Sequence, residues 1–382
     1  MIAIILYLIV RYMKDSLFTL ILLALIFFGG LGLDVIKIQF YTFIVAVLIL
    51  FILKIKNKVL RIPPFFLHYI LYVFIIFLSI FWVKSVNNTF DTLILYVDGE
   101  LFWLILYNIS LKSVKLFLKG VVIIGIIFGM LFVYGILMHV KDVNSFTLFS
   151  PVWIGSSHVH IGDYWMISLI VFLFYLVNKK KSLTRILLSA LTLIGFAFLI
   201  KSASRSAVLG LGIGLYYLFS AKYVFKKNSK ISVLLISILV LSFLFMSNAK
   251  TTLFSRGYFV QGIVGLYRNP FGIGMGNFYK ISTDSRNQIF GLKETSSVAH
   301  NIIIENTSGV GVFGFVFVFW LFSILMGLPR KKRNLFAAVF IALTVNFMFD
   351  FTYIIPTMYL LWLSFLGLAQ RKDLTMDRVK RF

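Results

Sequence analysis

Apolar residues in this chain come in long stretches, separated by short polar and basic segments. An α helix needs about 20 apolar residues to cross a bilayer. Twelve stretches approach that length, and we predict membrane-spanning helices over residues 16–33, 36–53, 64–83, 91–110, 120–140, 163–178, 186–200, 206–221, 231–247, 309–328, 335–350 and 355–369. The pattern predicts an all-α integral membrane protein with a single polytopic domain over residues 1–382.

Composition agrees with this prediction and limits the chemistry. Of the 382 residues, 60% are hydrophobic and only 13% are charged, which is far from the soluble average. The N-terminal MIAIILYLIV lacks a preceding basic region and a small-residue cleavage site, so we expect it to stay in the mature chain. Because the chain has no cysteine, disulfides, thiolate nucleophiles and cysteine-ligated metals are excluded. Any chemistry must come from His, Arg, Lys, carboxylates and the backbone.

The net charge of +24 is explained by where the basic residues lie. Alternate connecting segments, near residues 11–14, 54–61, 112–119, 179–185, 222–230, 330–333 and 371–381, contain 26 of the 37 Lys and Arg residues. The positive-inside rule makes this side cytoplasmic, with both termini inside and the other connections outside. The excess charge then reports orientation and attraction to anionic membrane lipids, and no nucleic-acid partner is needed.

Most predicted outer connections are short, but residues 248–300 form a long polar segment. It includes RNPFGIGMGNF, in which Pro270, Gly272, Gly274 and Gly276 suit tight turns and backbone amides that can contact a substrate. No Gly-Lys-Ser or Gly-Lys-Thr follows, so a nucleotide P-loop is not supported. We predict that residues 248–300 form a large extracytoplasmic loop between the ninth and tenth spans and contribute part of the active site.

A second polar cluster, KSASRSAVLGLGIG, lies between the seventh and eighth predicted spans. Lys201 and Arg205 are there on the outer side, where the positive-inside rule makes basic residues less expected. One interpretation is that Arg205 only extends to the outer headgroups. The other, which we favour, is a functional role.

These segments together resemble the O-antigen ligase and O-antigen polymerase superfamily. SRSAVL is similar to its first arginine motif, and SRGYF with PFGIGMGNF is similar to its arginine and PxxGxGxxxF segment, which aligns Arg256. His300 and Asn301, followed by Gly311 and Gly314, match its His-Asn and Gly-x-x-Gly pattern. The motifs occur in the family's order across residues 200–320, whereas the rest of the chain agrees only in hydropathy and span count.

The resemblance implies glycosyl transfer at the outer face of the bacterial cytoplasmic membrane. The donor would be an oligosaccharide on a polyprenyl diphosphate, and the diphosphate lipid would leave. A leaving diphosphate is best stabilised by forked, permanently charged donors, which favours Arg205 and Arg256. Arg268 is a weaker candidate, and Lys201 could add a further positive charge. With such cations we expect no metal and no other cofactor.

His300 is the predicted catalytic base, because an imidazole has a pKa near neutrality and can accept the proton of an attacking hydroxyl. The alternative is a helix-terminal His whose ring only satisfies nearby backbone or Asn301. Asn301 and Glu305 lie four residues apart, and we expect both in substrate binding, with Glu305 as a partner behind the base or as a solvated carboxylate. Asp284 and Glu294 are rival bases.

Other polar residues allow further interpretations. His158 and His160 with Asp163 could bind a metal, but acceptor contact or an ordinary loop is favoured because alternate residues face different ways and no fourth ligand follows. A relay of intramembrane acids, Asp98, Glu100 and Asp350, would suit a transporter or flippase of polyprenyl-linked sugar. Against this, the polar residues concentrate in an outer loop and not at the bilayer midplane.

Three hypotheses follow. We favour a polymerase that joins repeat units of a capsule, exopolysaccharide or O-antigen, with a flippase and a chain-length regulator as expected partners. A ligase that transfers a finished chain to a terminal acceptor shares the same donor and leaving group, and a transporter is the third possibility.

Overall fold

A computed structural model describes residues 15–30, 35–57, 59–83, 85–138, 159–178, 182–202, 204–219, 258–285, 295–328, 334–374 and 376–380. These ranges are helical, with connecting turns and no strand. The α helices are α1 (Asp15–Gly30), α2 (Val35–Asn57), α3 (Phe66–Ser79), α4 (Val86–Asn108), α5 (Leu111–Met138), α6 (Val159–Asn178), α7 (Ser182–Lys201), α8 (Arg205–Phe219), α9 (Tyr258–Arg268), α10 (Phe278–Ser285), α11 (Ile302–Val310), α12 (Phe315–Gly327), α13 (Leu335–Phe347), α14 (Pro356–Ala369) and α15 (Met376–Lys380).

Five helical segments in the described ranges are long and apolar enough to cross a membrane, by length and composition: Gln39–Lys56, Leu111–Leu131, Ile161–Asn178, Leu183–Lys201 and Ile302–Gly327. Five shorter helices, of 10–17 residues, are also apolar. Large apolar side chains on the outer surface, such as Leu183 and Phe319, are 81% and 71% exposed, as suits a lipid-facing surface. The chain is therefore a multi-pass, all-α membrane protein, and the count of twelve spans stays a prediction.

Several helix starts differ from the predicted boundaries, and the largest difference is in the span predicted over 120–140, whose helix begins at Leu111. The helix predicted over 91–110 begins at Val86, because a helix end tolerates the polar residues that the hydropathy pattern left outside. The span predicted over 309–328 begins at Ile302 and includes a 3₁₀ turn at Gly311–Gly314. The predicted ninth span, 231–247, lies outside the described residues.

The centre of the bundle is formed by α13 and α14, which are apolar on every side. All residues of α14 are buried, and the indole of Trp362 donates to the hydroxyl of Thr344 across the helix pair at 2.8 Å. A helix that is hydrophobic all round belongs in a protein or membrane interior. On the other side of α13, Gly210 and Gly214 of α8 permit the close approach that their spacing predicts, since a Cβ on Gly210 would lie 2.5 Å from the carbonyl oxygen of Ala342.

Hydrogen bonds between connecting segments define two ends of the bundle. At one end the guanidinium of Arg371 donates to the carbonyls of Leu106 and Ile109 at 3.2 and 2.6 Å, and the Asn108 amide donates to the carbonyl of Arg61 at 2.9 Å. We call this the basic end. At the opposite end the segments 271–277, 295–301 and 348–355 meet, and we call it the loop end.

Candidate functional site at the loop end

His300 occupies a strained backbone position at the loop end. Its φ of +52° is in the left-handed region that residues other than glycine rarely adopt. The imidazole stacks on the ring of Tyr258, with centroids 5.2 Å apart and planes 20° from parallel, and meets the ring of Phe351 edge to face at 5.3 Å. Strain of this kind costs about 1–3 kcal/mol and concentrates at functional sites. Two aromatic rings therefore fix the orientation of this imidazole.

Asn301, the next residue, forms the N-cap of α11. Its side-chain oxygen accepts hydrogen bonds from the amides of Ile303 and Ile304 at 2.9 and 3.0 Å, and its side-chain nitrogen donates to the carbonyl of Met348 at 2.9 Å. Such a cap satisfies amides that would otherwise lack partners at the helix start. Asn301, predicted to bind substrate, is thus engaged in joining α11 to the segment after α13.

Arg205 is the first residue of α8 and is half-buried. The hydroxyl of the adjacent Ser206 donates to the carboxylate of Asp350 at 2.8 Å. Asp350 is followed by Phe351, which contacts the His300 ring. The segment 348–355 therefore brings Arg205 and His300, two predicted site residues far apart in sequence, to the same end of the bundle.

Glu305 supports the backbone on which His300 lies. Only 4% exposed, its carboxylate accepts from the amide of Ala299 at 2.8 Å and from the hydroxyl of Tyr353 at 3.1 Å. Of the two interpretations of Glu305, the solvated carboxylate is wrong, because this side chain is buried and hydrogen-bonded. It ties residues 299–300 to the segment that contributes Phe351.

The two glycine motifs of the sequence pack against each other. The amide of Gly274 donates to the carbonyl of Gly309 at 2.8 Å, and the amide of Val312 donates to the carbonyl of Pro270 at 2.8 Å. A Cβ on Gly272 would lie 2.2 Å from the oxygen of Gly309, and one on Gly311 would lie 2.0 Å from the oxygen of Pro270. Only glycine fits such a backbone crossing.

The amides of the candidate substrate-binding glycines are used within the fold. Gly272 donates to the carbonyl of Asn269 at 2.8 Å, and Gly274 donates to Gly309. Both glycines have positive φ, +80° and +93°, so they shape the turn. In this structure neither amide is open to a ligand, contrary to what their spacing suggested.

A cavity of about 300 Å³ opens beside these motifs. Its wall includes Gly276 of the glycine turn, Glu305 of α11, and Tyr353. From α4 it receives a row of residues spaced three or four apart on one helix face, namely Asn88, Asp91, Thr92, Leu95 and Tyr96. Gln39, Met275, Ser297, Val298 and Ile354 complete the lining.

The hydropathy pattern gives no indication of this cavity. The polar face of NNTFDT lies in the first turns of α4, and it was assigned partly to a connecting segment. The recurrence of polar residues at helical spacing was the available signal. Tyr258 and Phe351 gave no signal of their own, because aromatic residues are frequent throughout this apolar chain.

The remaining candidate cations are less central. Lys201, at the C-terminal end of α7, is exposed. Arg268 is exposed at the opposite end of α9 from Tyr258, about 15 Å along the helix axis from the residue that stacks on His300. Of the rival bases, Asp284 is exposed in α10, while Glu294 lies outside the described residues, as does Arg256.

The region around Asp163 combines acids in a way that the sequence did not predict. Asp163 is fully buried near Asp350, with Thr352 and Asn346 close by, although neither of its carboxyl oxygens meets hydrogen-bond geometry with a described residue. The His158–His160 metal hypothesis stays open: the first lies outside the described residues, as does the side chain of the second. Asp98 is buried within α4, away from the loop end.

No family model and no curated protein matches this chain. The fold and the site therefore define a class only, which is a multi-pass, all-helical membrane protein with a polar site at one end of its bundle.

Proposed function

We propose that the protein is a membrane glycosyltransferase of the O-antigen polymerase and ligase type. It would polymerise oligosaccharide repeat units delivered on a polyprenyl diphosphate at the outer face of the bacterial cytoplasmic membrane. The observation that supports this proposal is that two consecutive residues, Asp350 and Phe351, contact Ser206, which follows Arg205, and the ring of His300. The contact between the two glycine motifs gives the proposal further support, because it joins the PxxGxGxxxF segment to the Gly-x-x-Gly segment of the resemblance.

In the proposed reaction, a hydroxyl of the acceptor sugar attacks the anomeric carbon of the donor. His300 accepts the hydroxyl proton as the new glycosidic bond forms, and the bond between the anomeric carbon and the diphosphate oxygen breaks. The diphosphate leaves on its lipid with the bonding electrons. Arg205 stabilises the negative charge through forked hydrogen bonds, with Arg256 as its proposed partner.

The packing around His300 suits a base of this kind. Tyr258 and Phe351 leave the imidazole one ring orientation, and Glu305 holds the preceding backbone through Ala299. A base aligned before the substrate arrives avoids the cost of ordering it during the reaction. Arg268 and Lys201 are proposed only as outer contacts for the approaching anionic donor.

The test is a reconstituted assay. The full chain in lipid nanodiscs receives synthetic repeat units on a polyprenyl diphosphate, and products are resolved by gel electrophoresis. A ladder of increasing length is expected. Product that forms only when a separate terminal acceptor is added would indicate a ligase, and transport of the lipid-linked sugar between leaflets without bond formation would indicate a flippase.

The orientation of the two ends in the membrane is tested separately by cysteine labelling. Single cysteines can be introduced for this purpose because the chain has none of its own. Single substitutions Ser297→Cys at the loop end and Lys372→Cys at the basic end place a thiol on an exposed residue. A membrane-impermeant maleimide should label the first in intact cells and the second only after permeabilisation. The reverse pattern would refute an outward-facing site.

A further inference from the structure

The cavity beside α4 and the imidazole of His300 share two short segments of chain. Residues 297–300 contribute Ser297 and Val298 to the cavity wall and end at His300. Residues 351–354 contribute Phe351 to the imidazole contact and Tyr353 to the cavity. Along the first segment the cavity wall is therefore two residues from the proposed base, and along the second it is two residues from the ring that contacts this base.

Polar groups within the wall are available to a ligand. Gln39 is only 5% exposed, lines the cavity, and its side chain makes no hydrogen bond to any residue in the described ranges. An amide that lines a cavity can both donate hydrogen bonds to a ligand and accept them from it. Asp91, half-buried on the cavity side of α4, likewise has no hydrogen-bond partner among the described residues.

Most of the wall surface is apolar, and hydroxyl, amide and carboxylate groups are distributed over it. This is the usual composition of a site for a small organic ligand, and about 300 Å³ is at the small end of such sites. A sugar matches it, since its hydroxyls can both donate to carboxylates and accept from amides, while its C–H faces pack on side chains such as Met275.

The charge of the wall selects against anions. Asp91 and Glu305 both line the cavity, and its described lining contains no Lys or Arg. A diphosphate or an acidic sugar would find no cationic partner here, whereas the half-buried Arg205 is next to Ser206, which bonds to Asp350 outside the cavity lining.

The contacts of residues 350–354 therefore run in order from the neighbour of Arg205, through His300, to the cavity. Asp350 bonds to the residue next to Arg205, Phe351 contacts His300, and Tyr353 and Ile354 line the cavity. We propose that this cavity is the acceptor subsite and holds a neutral sugar residue of the acceptor, with its attacking hydroxyl towards His300. This inference rests on the proposed function and adds the position and the charge class of the acceptor.

The test is ligand-observed saturation-transfer NMR, which needs no turnover. The probes are the methyl glycosides of glucose, galactose and N-acetylglucosamine, and methyl glucuronide, each with the full chain in nanodiscs. At least one neutral glycoside should receive saturation, and the glucuronide should not. Ser297→Trp, at an exposed residue on the cavity wall, should reduce the signal at least tenfold. Asn87→Trp, at a neighbouring exposed residue that does not line the cavity, is the control and should leave it unchanged.

The results separate this inference from the proposed function. Saturation that Ser297→Trp removes, without any ladder in the reconstituted assay, would support a sugar site and refute the polymerase. A ladder from the wild-type protein that Ser297→Trp leaves unaltered would refute the acceptor subsite alone. The inference is also overturned if no neutral glycoside binds, if the glucuronide binds best, or if both tryptophan variants lose signal equally. If Ser297→Trp raised the KM for the donor but not for the acceptor, the cavity would belong to the donor sugar.

Discussion

The imidazole of His300 lies on the ring of Tyr258, with centroids 5.2 Å apart, while its own backbone holds a φ of +52°. Asparagine adopts this conformation more readily than most residues. We therefore expect His300→Asn to keep the fold, with a melting temperature near the wild type, and to lower turnover by ~10²–10⁴. Thermal unfolding and the ladder assay measure the two effects. His68→Asn, at an exposed histidine of α3, is the control. Normal turnover of His300→Asn would show that His300 is not the catalytic base.

Arg205 at the start of α8 is proposed to contact two oxygens of the leaving diphosphate. Lysine keeps the charge but has no planar fork, so Arg205→Lys should lose most of the turnover rate. Steady-state kinetics with the carrier-linked donor measure this. Arg185→Lys, near the start of α7 at the basic end, is the matched control and should behave as wild type. Equal rates for the two variants would show that a forked contact is not required.

The crossing of Gly272 over Gly309 leaves no space for a side chain. Gly272→Ala would place a Cβ 2.2 Å from the Gly309 oxygen at a φ of +80°. We expect a loss of roughly 1–3 kcal/mol from the backbone conformation and a similar amount from overpacking. Unfolding in mild detergent measures it. Gly327→Ala, where the nearest atom is the edge of the Phe65 ring at 3.2 Å, should cost much less.

At the basic end, Arg371 donates two hydrogen bonds to the carboxylate of Asp373, at 2.7 and 3.0 Å. These bonds lower the pKa of Asp373 below its ordinary value of 3.8. A lowered folded-state pKa stabilises the protein above pH 3.8, and this contribution is lost as pH falls through the folded value. Asp373→Asn should therefore lower the melting temperature modestly at neutral pH, and the difference should close in acid. A difference that persists in acid, or one matched by Lys372→Gln, would contradict this assignment.

Much of the fold could be predicted from hydropathy, because bilayer helices must be long and apolar. The helices around α13 and α14 lie where the apolar stretches indicated. Helix starts were harder, since Asn301 and the polar first turn of α4 are stabilised by tertiary hydrogen bonds that hydropathy does not register. The number of spans stays a prediction, because residues 231–247, the predicted ninth span, lie outside the described residues.

The site was predicted less completely. Arg205 and His300 could be named because charged and titratable groups are rare in such a chain and stand out. The cavity could not, since it is assembled from α2, α4, α11 and three connecting segments that are distant in sequence. The prediction that the glycine amides face a substrate also differed from the structure, because the spacing of glycines does not reveal whether an amide faces a ligand or another backbone segment.

The crossing of the two glycine segments is made almost wholly by main-chain atoms. Exposed side chains in these two segments, such as Phe271 and Phe313, can therefore vary without breaking the hydrogen bonds between the segments. Evolution could therefore alter the side chains at this rim while the backbone frame beneath them stays the same.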